Sequence, residues 1–287
     1  MKVGKDISAQ ILIEALPYIQ KFNNKIIVIK YGGNAMIDER LKKAVMRDLV
    51  LLNIVGIKVV LVHGGGPEIE QMLKKLSMEA KFINGLRYTD EDTSEIVQMV
   101  LAGKVNKQLV SLIHQNGGKG IGMSGSDGNM LTVEKLVCDD DLGYVGDIKS
   151  VNIEPIMMAL DNGYIPIIAT VGTDEKGQVY NINADTAAAA IAGALKAKKL
   201  ITMTDTSGLL REKDNEDSLM TSVNISEIPD LIEKQIIVGG MVPKVESCVE
   251  AIKQGVKEAI IIDGRMEHSI LIELFSNEGI GTMFHKN

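Results

Sequence analysis

Five short apolar runs recur along the chain: Ile26–Ile29, Val59–Val62, Ile165–Ala169, Leu200–Met203 and Ala259–Ile262. Each is followed at once by glycine or small polar residues and then by a longer amphipathic stretch. β-Branched runs bounded by glycines read as buried strands. The stretches between them, such as Glu39–Val55, Glu68–Leu76, Thr93–Gln115, Asp185–Lys196 and Val242–Gln254, carry helical spacing. Strands alternating with helices need parallel crossovers, so the expected fold is α/β, with an open, mainly parallel central sheet and helices on both faces. Ligands of such sheets gather beyond the carboxyl ends of the strands. There the sequence places Lys30-Tyr-Gly-Gly33, His63-Gly-Gly-Gly-Pro67, Thr170-Val-Gly-Thr173, Thr204-Asp-Thr-Ser-Gly208 and Asp263-Gly-Arg265.

Composition narrows what those strand ends can bind. With 31 basic and 38 acidic residues the 287-residue chain carries a net charge of −7, so its overall field attracts neither nucleic acid nor an anionic membrane, and an anionic ligand must be held by local positive groups. Cys138 and Cys248 have no CxxC or Cys/His spacing, which indicates neither a disulfide scaffold nor a zinc site and suits a reducing cytoplasm. The most apolar stretch, Ala187–Leu195, is well short of the ~20 residues a membrane span needs, so a soluble protein is expected. The charged Arg211–Asp217 segment lacks periodicity and reads as a loop.

Several positions carry chemistry. Lys30 ends a strand and meets Gly32-Gly33, where glycine lets backbone N–H groups approach an anion and lysine adds a point charge; a tight turn beside a solvated lysine is the plainer reading. Three glycines between Val62 and the helix at Glu68 suit an anion-binding nest, although the segment is neither GxGxxG nor a P-loop, and no P-loop pattern occurs anywhere in the chain. His63 is a base or, more in keeping with a strand end, a hydrogen-bonding support. Arg87, in Asn84-Gly-Leu-Arg87, has the planar fork that suits a carboxylate, or else forms a surface ion pair. Asn181, Asn183 and Asp185 point the same way if the lead-in to their helix is extended, with a helix cap as the alternative. Lys244 follows Gly239-Gly240-Met241 as a second lysine after a second glycine pair. In the first 22 residues Ile7, Ile11, Ala15, Tyr18 and Ile19 keep helical spacing, and Pro17 should kink that helix. It packs on its own domain or serves as an arm to another subunit.

In their order these segments, together with Gly103-Lys-Val-Asn-Lys107 and Gly143-Tyr-Val-Gly146, resemble the amino-acid kinase family, and within it the members that phosphorylate N-acetyl-L-glutamate. The resemblance implies a three-layer sandwich. It also implies an arm at 1–22, an N-terminal lobe at 23–195 for acceptor binding and dimerisation, and an ATP-binding lobe at 196–287. It implies that Lys30 and Lys244 stabilise the phosphoryl group in transfer and that Asp185 positions both. Gly64, Gly65, Arg87, Asn181 and Asn183 would bind N-acetyl-L-glutamate. Gly32, Gly33, Thr204, Asp205, Gly208, Gly239, Gly240 and Met241 would lie along ATP, with Mg²⁺ held mainly by the nucleotide phosphates rather than by protein ligands. Family members inhibited by arginine have an N-terminal arm that joins dimers into a hexamer, a trimer of dimers. By that likeness Tyr18, His268, Glu273, Gly279 and Gly281 are candidates for an arginine site.

Overall fold

A computed structural model of the chain describes residues 5–212, 215–277 and 279–286. Residues 1–4 of the expected arm, and 213 and 214 of the expected Arg211–Asp217 loop, lie outside them. The strands are β1 (Ile26–Tyr31), β2 (Lys58–His63), β3 (Phe82–Ile83), β4 (Leu86–Arg87), β5 (Gly120–Ser124), β6 (Leu131–Lys135), β7 (Val145–Val151), β8 (Ile165–Ala169), β9 (Val171–Thr173), β10 (Val179–Ile182), β11 (Lys199–Thr204), β12 (Ser222–Asn224), β13 (Glu258–Asp263) and β14 (Thr282–His285). The helices are α1 (Lys5–Phe22), α2 (Glu39–Ile54), α3 (Gly66–Lys75), α4 (Glu91–Gln98), α5 (Asn106–Gln115), α6 (Glu154–Asp161), α7 (Ala184–Ala194), α8 (Ile228–Glu233), α9 (Met241–Lys253) and α10 (Ser269–Phe275). A π-helical turn, Met99–Val105, joins α4 to α5.

The five apolar runs form strands of one eight-stranded sheet, in the order β12-β14-β13-β11-β1-β2-β8-β5. Pairing is parallel throughout except between β13 and β14. Side chains alternate across the sheet, so each strand feeds two cores. Val28, Val60, Ile168 and Leu200 face the alanine-rich α7 and α9, while Ile27, Ile29, Leu61 and Ile201 face α2, α5 and α10. Lys30 shares the parity of Val28, which directs its side chain toward α7. The sequence did not announce the second unit, in which β10, β7, β6 and β9 close on one another.

Local signals account for the helix starts. Asp38 caps α2 by accepting from the N–H groups of Arg40 and Leu41, and Asn183 caps α7 through Asp185 and Thr186. Pro17 lies inside a helix that continues to Phe22. Ile7, Ile11, Leu12, Ile13 and Leu16 of α1 are all exposed, so much of its apolar surface covers nothing among the described residues. Cys248 is buried on α9, which pushes its thiol up to about 12, whereas Cys138 is exposed.

Candidate functional site

The central strand β1 ends between β2 and β11, with Tyr31 in register with His63 and Lys30 in register with Thr202. The site spreads over these strand ends. Lys30 Nζ lies 3.0 Å from Asp185 Oδ1, an ion contact whose angles fall short of a hydrogen bond. Lys244, from the first turn of α9, donates to Asp185 Oδ2 at 3.1 Å. One carboxylate at the start of α7 therefore holds two ammonium groups from elements far apart in sequence. Burial alone would raise the Asp185 pKa, but the two lysines hold it below the usual carboxylate range. Burial, with Lys244 nearby, lowers Lys30 despite the attraction of Asp185. Within the triad two cations face one anion, with Asp205 as a further carboxylate in range of Lys30. A Cβ built on Gly32 would lie 2.9 Å from Lys30 Nζ, so the ammonium rests directly on that glycine.

Beside this triad a 190 Å³ cleft is lined by Gly64, Gly65, Gly66, Arg87, Asn181 and Asn183, among others. Gly64 abuts Ala184, next to Asp185, and the Gly66 carbonyl accepts from Arg87 Nη2 at 3.3 Å, so the glycine loop runs from the lysine triad to the arginine. The same Nη2 is 3.0 Å from Glu70 Oε1, and the guanidinium carbon sits 4.6 Å from the Phe82 ring centre. Arg87 Nη1 is buried and has no acceptor among the described residues. Buried donors are normally paired, so a half-satisfied guanidinium in a cleft fits an anionic ligand group. Asn181 donates to Thr89 Oγ1 at 3.3 Å. Asn183 has committed its Oδ1 to capping α7, which leaves its NH₂ for the cleft.

The segments expected along a nucleotide lie on the other side of β1. Asp205 follows β11 and comes close to Gly33, where a Cβ would meet Asp205 Oδ1 at 2.7 Å. Thr204 Oγ1 accepts from Thr206 N at 3.2 Å and fixes the turn after the strand. Gly208, at φ 143°, has a structural reason to be glycine, since a Cβ there would lie 2.4 Å from Thr282 Oγ1. Gly239 and Gly240 are exposed and uncrowded ahead of Met241, the first residue of α9.

Four of the five residues expected at an arginine site share a second cleft of 330 Å³, lined by Tyr18, Glu273, Gly279 and Gly281 together with Lys199 and Glu258. Glu273 Oε2 accepts from Ile280 N at 2.9 Å and so pins the turn between the two glycines. Tyr18 donates to Asn277 Oδ1. His268 does not line this cleft. Its Nδ1 lies 2.6 Å from Oδ1 of the buried Asp48 on α2. Sequence reasoning missed Lys199 and Glu258, which pair at 2.7 Å, because each lies at the start of a strand and gives no local signal.

His63 is fully buried, and burial drives its pKa down to about 4, so the ring is neutral. Its Nδ1 faces the Gly64 carbonyl at 2.8 Å and its Nε2 faces the Asn106 amide at 3.1 Å.

The model of the amino acid kinase family matches residues 25–263. An acetylglutamate kinase of Brachyspira hyodysenteriae is 57% identical over 97% of both chains, and one of Clostridioides difficile is 56% identical, again over 97% of both. Among solved structures, N-acetylglutamate synthase from Neisseria gonorrhoeae in complex with coenzyme A and N-acetyl-glutamate superposes with a TM-score of 0.85 at 26% identity. The match covers 97% of this chain and 63% of that one. A β1 lysine sharing one carboxylate with a second lysine, on a sheet matched nearly end to end by these relatives, places the chain in the amino acid kinase family.

Proposed function

We propose that the chain transfers the γ-phosphoryl group of ATP to the side-chain carboxylate of N-acetyl-L-glutamate, giving N-acetyl-L-glutamyl 5-phosphate, the second step of arginine biosynthesis. The observation that carries this reading is the buried, acceptor-free Nη1 of Arg87, at the opposite end of the glycine loop from the Lys30–Asp185–Lys244 triad. A dicarboxylate lacking an ammonium group fits between them, its α-carboxylate on Arg87 and its side-chain carboxylate toward the lysines. Asn181 and Asn183 offer amide groups to the parts between.

The acceptor carboxylate, with an ordinary pKa of ~4.3, is already ionised at neutral pH, so no base is needed. An acceptor oxygen attacks the γ-phosphorus while the bond to the bridging oxygen breaks and ADP departs. What the protein must supply is alignment and neutralisation of charge between an anionic nucleophile and an anionic phosphate. Lys30 and Lys244 serve that purpose, and Asp185, itself favoured by the N-terminus of α7, keeps both ammonium groups in place. The exposed Gly239-Gly240 and the turns at Gly32-Gly33 and Thr204–Gly208 offer a surface to the nucleotide. Mg²⁺ fits as a companion of the ATP phosphates, since Asp185 has committed both oxygens to lysines.

The second cleft supports regulation by arginine: Glu258 and Glu273 suit a guanidinium or ammonium, and Lys199 suits a carboxylate. The exposed apolar side of α1 supports its use as an arm between dimers in a hexamer, with 1–22 as the arm, 23–195 as the acceptor half and 196–287 as the nucleotide half. A cytoplasmic biosynthetic enzyme is the corresponding setting. The deciding assay is ADP release under Mg²⁺-ATP with N-acetyl-L-glutamate, with glutamate, and with neither. Release only with the first is expected, and release independent of any acceptor would overturn the reading.

A further inference from the structure

We infer that His63 and Asn106 are positioning residues that lock the Gly64–Gly65 peptide so that the Gly65 N–H is presented to the acceptor carboxylate. This rests on the function proposed above. Asn106, the first residue of α5, is fully buried, and its Nδ2 faces the carbonyls of Met123 at 3.2 Å and Ile167 at 2.8 Å as well as His63 Nε2. Lys107 Nζ donates to Asn106 Oδ1 at 3.0 Å. Two carbonyls on one side and an ammonium on the other leave the amide a single orientation, with its NH₂ toward the histidine. An amide nitrogen accepts nothing and a carbonyl donates nothing, so the ring proton sits on Nδ1, where it donates to the Gly64 carbonyl at 2.8 Å, and Nε2 is left as an acceptor sharing the two Asn106 hydrogens with the two carbonyls. Burial keeps the ring neutral, so it holds one proton and one tautomer.

The peptide following Gly64 is trans, so tying down its carbonyl aims the Gly65 N–H the opposite way. Among the described residues that N–H has no acceptor, and Gly65 lines the cleft between the lysine triad and Arg87. Two crowded glycines show how firmly the device is packed. A Cβ on Gly65 would lie 2.6 Å from Leu101 in the π-helical turn, and one on Gly122 would lie 1.9 Å from Asn106 Oδ1. The π-helical turn thus sets both the roof of the glycine loop and the start of α5, where Asn106 sits.

Two substitutions separate the halves of the imidazole. In His63→Asn the amide nitrogen takes the place of Nδ1 and keeps the bond to Gly64 while losing Asn106. In His63→Gln the amide takes the place of Nε2 and keeps Asn106 while losing Gly64. The Asn variant is expected to retain kcat within about threefold, and the Gln variant to lose about 10- to 100-fold in kcat with little change in KM, the scale of a misaimed backbone donor. Equal losses in the two variants, or kcat following melting temperature, would overturn the assignment. The Gly65 amide resonance gives a reading independent of turnover: it should move in the Gln variant and stay near its wild-type position in the Asn variant, and the reverse pattern refutes the proposal. A wild-type protein without acetylglutamate-dependent ADP release would instead refute the substrate, leaving the amide shifts to judge the peptide lock.

Discussion

Replacing Asp185 with asparagine keeps the side-chain volume and removes the one charge that two lysines share. At 3.0 and 3.1 Å, each contact is a gross attraction of about 5 kcal/mol for an effective dielectric of ~20. Most of that offsets desolvation, and breaking one partner out of a buried pair typically costs ~3–5 kcal/mol. Lys244 is a quarter exposed and can turn to water, whereas Lys30, at 7%, cannot. The lower end of the range, about 3 kcal/mol, therefore applies, or roughly 6 °C in Tm for a chain of this size. Catalysis should suffer more. Both ammonium groups lose their common anchor, and displacements of about 1 Å cost on the order of 100-fold. The expected result for Asp185→Asn is a kcat lower by about 100- to 1,000-fold with KM for N-acetyl-L-glutamate within about threefold, measured by coupled ADP release. A kcat within fivefold of wild type (roughly 1 kcal/mol), or a loss confined to KM, would show that the shared carboxylate does not organise the lysines for transfer.

Other perturbations probe separate parts of the molecule. Arg87→Leu should raise KM for N-acetyl-L-glutamate by about 10- to 100-fold, the scale of one lost hydrogen bond to a charged group, with a smaller effect on kcat; an unchanged KM would remove Arg87 from the acceptor site. Gly65→Ala forces a methyl against Leu101 and should lower stability by about 1–3 kcal/mol in a urea melt, so an unaltered midpoint would contradict the crowding. Burial raises Asp48 from 3.8 to about 6 even though His268 opposes the rise. Native protein then binds more protons than unfolded chain in that window, so stability should fall as pH rises through it, and Asp48→Asn should flatten the slope of Tm against pH. Removing residues 1–22 should reduce the sedimenting species to dimers and weaken arginine inhibition, whereas an unchanged profile would deny α1 its part as an arm.

Much of the layout was legible because buried parallel strands announce themselves as continuous apolar runs: all five expected runs are strands of the main sheet. The closed unit of β6, β7, β9 and β10 was not, since β9 and β10 have only three and four residues, too few for periodicity to register. They persist by pairing with each other, a property of the folded chain rather than of any segment. The same division runs through the site. Lys30, Asp185 and Lys244 stand out because glycines and helix starts surround them, and the structure brings all three together. Glu70, which pins Arg87, lies on α3 with no motif around it, and Asn106 sat in a quoted segment without a role until its buried partners were visible. His268 and Asp48 are 220 positions apart, so no local pattern could have drawn the histidine away from the cleft that holds Glu273.

The placing of β1 between β2 and β11 makes the sheet a ruler. Neighbouring strands are held ~4.8 Å apart by their ladder, so the loops that follow β2 and β11 stand about 10 Å from each other with Lys30 midway. Under the proposed function, acceptor and donor are read by opposite sides of one strand, and neither loop has to know what the other binds. Evolution can redraw the β2, β4 and β10 surroundings to admit a different acid while the phosphate side stays untouched. On that reading the chain is a module for energising carboxylates, with its substrate choice written on one flank only.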